Sequence, residues 1–176
     1  MRFRLGAIAA ILTAALAVAG CGGSANTTSA APAIQQQPTQ PTAALPSQQE
    51  IAGLFDQWDQ ALATLDPGKV AARYAPDAVL LPTVSNKVRT DHAGIVDYFA
   101  HFLQSKPQGK ILDEHIKILD PTAAIDTGTY EFTLTNNGQK NTVDARYTFV
   151  YEKVGGQWLI INHHSSVMPE TAEVSH

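Results

Sequence analysis

Apolar side chains first recur with a helical period where the large hydrophobic residues begin. Ile51, Leu54, Phe55, Trp58, Leu62 and Leu65 fall on one face of a helix. Ahead of them, Pro46-Ser47-Gln48-Gln49-Glu50 reads as a helix start, with the Ser47 hydroxyl accepting from an early backbone N–H while Glu50 reaches back in a capping box. Asp66-Pro67 supplies a second cap and a first-turn proline, predicting a shorter helix through Val70 and Tyr74. Residues 78–82 are a brief apolar run, predicted to be a strand. Thr90 or Asp91 caps a third helix on which Ile95, Tyr98, Phe99, Phe102 and Leu103 share a face, and Lys106-Pro107 ends it.

Beyond Pro107 the period falls to two. Strands are predicted over 110–119, 123–135, 142–153 and 157–168, joined through Asp120-Pro121, Asn136-Asn137-Gly138 and Gly155-Gly156. Helices first and antiparallel strands afterwards define an α+β domain, with the helices packed on one face of a curved sheet. A sheet wrapped in this way leaves a cavity against the helices, and its inward residues are the candidates for chemistry. The chain has no internal repeat.

The last predicted strand passes directly from apolar residues into two histidines and two serines: Trp158-Leu159-Ile160-Ile161-Asn162-His163-His164-Ser165-Ser166-Val167-Met168-Pro169-Glu170. Alternation puts His163 and Ser165 on one face and His164 and Ser166 on the other. The period does not decide which pair faces the cavity, because Trp158 with Ile160 and Leu159 with Ile161 are equally apolar. Neighbouring histidines on a strand cannot hold one ion without a bulge, and His92, His101, His115 and His176 have no zinc-like spacing. The sequence therefore nominates no metal ligand, while a divalent site assembled across strands stays open. Arg146 alternates with Thr148; it either lines the cavity and attracts an anion, or pairs with Asp144 or Glu131 at the sheet surface. Asp126 and Glu131 are the carboxylates that would serve if the chemistry were steroid-isomerase-like proton transfer.

Together with this final run, three segments carry a resemblance: Leu80-Leu81-Pro82-Thr83-Val84-Ser85-Asn86, Ile95-Val96-Asp97-Tyr98-Phe99 and Ala145-Arg146-Tyr147-Thr148-Phe149-Val150-Tyr151-Glu152. The set resembles the association domain of calcium/calmodulin-dependent kinase II in its bacterial, kinase-free form. Within that group it is similar to the iota class of carbonic anhydrases, whose signature is a His-His-Ser-Ser run followed by Met-Pro. The resemblance spans about residues 48–170, a normal size for one domain. It implies the cone-shaped fold shared by nuclear transport factor two, ketosteroid isomerase and the SnoaL-like polyketide cyclases, a homodimer, and reversible hydration of CO₂ to bicarbonate with no cofactor. Carried over, its pocket residues become Thr83, Tyr98 and Ser165, which puts His163 on the same inner side as a proton acceptor with an ordinary pKa of about 6.5. Arg146, His164 and Ser166 are then candidates for holding substrate. The alternative function is a non-catalytic, oligomerising module for a small polar ligand. The chain has no Gly-rich phosphate loop, His-Arg-Asp or Asp-Phe-Gly, so it carries no kinase chemistry.

The amino terminus changes the setting. Arg2 and Arg4 precede an apolar run over 5–18, the layout of a secretory signal peptide and too short for an ordinary membrane span. The run ends in Val18-Ala19-Gly20-Cys21, which resembles a bacterial lipobox with Val in place of the usual Leu; Cys21 would then become the lipidated first residue. It is the sole cysteine, so no intramolecular disulfide forms. Residues 22–47 are almost entirely small or polar and read as a disordered tether with a reach of roughly 28 Å. The expected organisation is a signal peptide over 1–20, a lipidated tether over 21–47, the domain over 48–170 and a tail over 171–176. Loss of residues 1–20 takes the formal charge from −4 to −6. So acidic a domain argues against nucleic acid, and the expected location is extracytoplasmic, held to the cell membrane through Cys21.

Overall fold

The computed structural model describes residues 43–169. The expected signal peptide, Cys21 and the 171–176 tail lie outside the described residues. Three helices precede four long strands: α1 Gln48–Ala63, α2 Pro67–Ala71, β1 Tyr74–Leu81, α3 His92–Phe102, a 3₁₀ turn Leu103–Ser105, β2 Gln108–Asp120, β3 Ala123–Asn136, β4 Gln139–Val154 and β5 Gln157–Val167. The sheet order is β1-β5-β4-β3-β2, with β1 parallel to β5 and every other pair antiparallel. No helix among the described residues is long and apolar enough to cross a membrane.

Local signals set most of the boundaries. The Ser47 hydroxyl accepts from the Glu50 N–H at 3.0 Å, so the cap forms. Its reciprocal half does not, because the Glu50 carboxylate instead accepts from Trp158 Nε1 at 2.8 Å, tying the first turn of α1 to β5. Asp66 caps α2, and of the two caps expected for α3 it is Asp91 that accepts, from Gly94 N–H at 2.7 Å. Leu65 does not extend the apolar face of α1: the helix ends at Ala63, and Leu65 lies in the left-handed region with φ 57°, exposed to solvent. Asn137-Gly138 and Gly155-Gly156 all have positive φ, the backbone that two-residue hairpins require.

Two departures from the expected elements bear on function. Tyr74 opens β1 rather than closing α2; α2 stops at Ala71 and the Arg73 carbonyl accepts from Ile160 N–H at 2.9 Å, starting the parallel pairing with β5. On β5, Tyr151 pairs with Ile160 but Val150 with Asn162, so Ile161 is an extra residue. That bulge reverses the parity of the strand. Trp158 and Ile160 face inward before it, His163 and Ser165 after it, whereas unbroken alternation from Trp158 would have turned His164 and Ser166 inward.

The core fills the space between this inner face and the helices. Trp58 from α1 meets Phe149, Phe132 and Phe99 at ring-centroid distances of 5.5, 6.1 and 6.3 Å. Phe55 packs on Tyr130 and Phe149. Losing an aromatic side chain in such a cluster costs about 3–5 kcal/mol, a large share of a stability of about 5–15 kcal/mol.

Candidate functional site

Thr83, Tyr98, His163 and Ser165 converge on one cavity. Thr83 follows β1, Tyr98 comes from α3, and the other two stand on β5 beyond the bulge; Tyr130 of β3 joins them, and Leu80, Phe99, Phe132 and Ala145 give apolar wall. The cavity is about 30 Å³. A single water needs roughly 10–15 Å³ on the same measure, so the space suits a molecule of a few heavy atoms and not a ring system.

A row of hydrogen bonds runs through the buried side chains. Trp58 Nε1–H donates to the Tyr74 hydroxyl at 3.0 Å, and that hydroxyl stands 2.9 Å from His163 Nδ1. His163 Nε2 faces the Tyr130 hydroxyl at 3.5 Å, the longest link. Tyr130 donates to Ser165 Oγ, which is bonded in turn to Thr83 Oγ1. No hydrogen bond among the described residues ties the Tyr98 hydroxyl to this row; its ring lies under the Arg89 guanidinium, 5.7 Å away. Tyr74 and Trp58 escaped sequence reasoning, Tyr74 because it was assigned to a helix and Trp58 because a core role explained it fully. Tyr130 escaped it too, lying within the predicted 123–135 strand with no local signal to mark it.

Electrostatics redefines His163. Complete burial, reinforced by the neighbouring His164, pushes its pKa down to about 3. The imidazole is therefore neutral throughout the neutral range, and the expectation of a base titrating near 6.5 does not hold in this surrounding: Phe149 stacks on the ring at 4.0 Å and Trp58 meets it edge-on at 5.4 Å. Burial raises the Tyr74, Tyr98 and Tyr130 phenols above their usual range, so all three stay protonated.

The three candidates for holding substrate are not in the cavity. Arg146, His164 and Ser166 sit on the opposite sheet face with Thr127, Thr129 and Thr148 along a shallow groove, as alternation on β4 and β5 requires. Arg146 pairs with neither Asp144 nor Glu131; the ion pairs among the described residues are Arg89–Asp97 and His115–Asp113. Of the two carboxylates, Asp126 does face inward and is fully buried, accepting from the Tyr147 hydroxyl at 3.0 Å, yet it lies outside the cavity wall. Its second oxygen has no partner, and burial raises its pKa to about 6. Among the described residues no group of three or more His, Cys, Asp or Glu side chains is placed to hold a metal ion.

Helices over a curved, mostly antiparallel sheet with a small cavity between them define the class of nuclear-transport-factor-two-like, cystatin-like domains. The nuclear transport factor two-like superfamily protein from Salmonella enterica serovar Typhimurium shares this fold at 19% identity and TM-score 0.60, over 73% of this chain and 95% of that one. A Novosphingobium aromaticivorans protein provisionally named an aromatic ring hydroxylase does so at 21% and 0.60, over 68% and 87%. More specifically, the chain belongs to the calcium/calmodulin dependent protein kinase II association domain family, whose sequence profile matches residues 47–169. A Xanthomonas campestris structure provisionally described as such a domain is 58% identical, with TM-score 0.70 over 73% of this chain and 95% of that one. The comparison with curated proteins gave no match.

Proposed function

We propose that the domain hydrates CO₂ reversibly to bicarbonate, as an exported, lipid-anchored protein of the iota carbonic anhydrase type. The observation that carries this reading is the run of three hydroxyls, Tyr130, Ser165 and Thr83, ending in a cavity of about 30 Å³ with mostly apolar walls. A small apolar space suits CO₂, and fixed hydroxyl donors stabilise the negative charge that develops on an oxygen as water adds. In that step the water oxygen bonds to carbon, one C=O pair moves onto oxygen, and the proton passes to a solvent base at the cavity mouth. His163, held neutral, orients the hydroxyls rather than taking that proton. The test is CO₂ hydration by the purified full chain, followed with a pH indicator after exhaustive chelation. Turnover that survives chelation supports the reading, and turnover restored by one metal points to a metalloenzyme. Silence throughout selects the second reading, a non-catalytic oligomerising module for a small polar ligand, which the lack of a titrating His163 favours.

Membrane attachment belongs to the same proposal. Cys21→Ser is expected to abolish lipid attachment and shift the protein to the soluble fraction, since a stable anchor takes more than one acyl chain and the tether offers no other. Unchanged fractionation and mass would remove the anchor from the picture.

A further inference from the structure

The side chains in the buried row differ in one decisive respect: an indole N–H can donate but never accept. With Trp58 donating to the Tyr74 oxygen, the Tyr74 hydrogen is left to point at His163 Nδ1, 2.9 Å away. An imidazole that accepts at Nδ1 and is neutral carries its hydrogen on Nε2, which faces the Tyr130 oxygen. Tyr130 then donates to Ser165; between Ser165 and Thr83 either hydroxyl can be the donor, and continuing the row makes it Ser165. The reverse order would leave the Tyr74 hydrogen buried without an acceptor, and a buried unsatisfied polar group costs about 1–3 kcal/mol. One hydrogen remains at the open end, on Thr83 Oγ1, at the cavity wall.

We propose that Trp58 polarises this row in one direction, so that the cavity presents an outgoing O–H at Thr83 and selects small oxygen-bearing hydrogen-bond acceptors, with Trp58 and Tyr74 as positioning residues and Tyr130 as the link that drives Ser165. This deepens the CO₂ and bicarbonate reading and rests on it for the identity of the ligand. The row delivers donation to the cavity and gives no path for a proton to leave inward, because Trp58 closes the far end. Each bond in such a row strengthens the next, so breaking it at a distance from the ligand weakens the last donor.

Two measurements on the full chain test this, neither requiring turnover. Nitrogen-15 spectra of histidine-labelled protein, assigned by comparison with His163→Gln, report the tautomer of His163. A single Nε2–H form unchanged from pH 5 to 9 is expected, becoming mixed in Tyr74→Phe. Bicarbonate binding, followed by carbon-13 line broadening, is expected to weaken about tenfold in Tyr130→Phe, the size of one lost hydrogen bond. An Nδ1–H tautomer in the unaltered protein, titration of His163 near neutrality, or unaltered bicarbonate affinity in Tyr130→Phe would each overturn the proposal. A protein that shows the expected tautomer and affinity loss but never hydrates CO₂ supports the donor row and overturns the hydration reading alone.

Discussion

Each cavity hydroxyl has a different neighbourhood, and single-atom deletions should separate their roles. Ser165→Ala strands the Tyr130 hydroxyl in the core, so it is expected to lower both turnover and the melting temperature, the latter by the few degrees that about 1 kcal/mol represents. Tyr98→Phe removes a hydroxyl outside the row and is expected to cost turnover with the melting curve unchanged. Rate and melting measured side by side distinguish the two, and full rate in both variants would exclude the hydroxyl set. His163→Gln should lose most of the rate yet leave the shape of the pH profile between 6 and 9 intact, because the group it replaces does not titrate there. His164→Gln, altered on the outer face, should keep the rate.

Among the elements, the bulge at Ile161 decides which pair of residues reaches the cavity. Deleting Ile161 removes the unpaired residue, so that Trp158, Ile160, His163 and Ser165 alternate on one face without a bulge. The expected product keeps His163 and Ser165 inward and retains turnover; lost activity in a folded protein would show that the bulge itself shapes the cavity. The helices, their caps and the order of helices and strands were legible because they are local: Ser47, Asp66 and Asp91 act within three residues of themselves. Thr83, Tyr98, His163 and Ser165 came from the resemblance, and the structure does bring them together. Tyr74, Tyr130 and the parity of β5 were not legible, since a bulge leaves no mark in an apolar run and a parallel β1–β5 pairing joins residues about ninety positions apart. Arg146 looked available for a buried anion only because sequence does not say which side of β4 meets the helices.

For the molecule as a whole, two buried titrations oppose each other. Between about pH 3 and 6.5 the unfolded imidazole of His163 holds a proton that the folded one does not, so this group makes stability rise with pH by about 1.4 kcal/mol per unit. Asp126 has the opposite sign: its folded pKa is about 6 and its unfolded value 3.8, so between roughly 4 and 6 the folded state holds the extra proton and stability falls as pH rises. Over pH 4–6 the two slopes largely cancel. Asp126→Asn is expected to uncover the His163 slope, giving a protein that loses stability steeply on acidification through that range, and denaturant titrations at half-unit steps would show it. A pH dependence identical to the unaltered protein would mean that Asp126 titrates alike in both states.

The indole edge set against the imidazole ring also makes the domain its own optical probe. Trp58 lies 5.4 Å from His163 and is shut away from solvent, whereas the other indole, Trp158, is bonded to the carboxylate of Glu50 at the rim. A neutral imidazole leaves indole emission bright and a protonated one dims it. The glow of Trp58 therefore reports, without any label, whether the centre of the protein has taken up a proton.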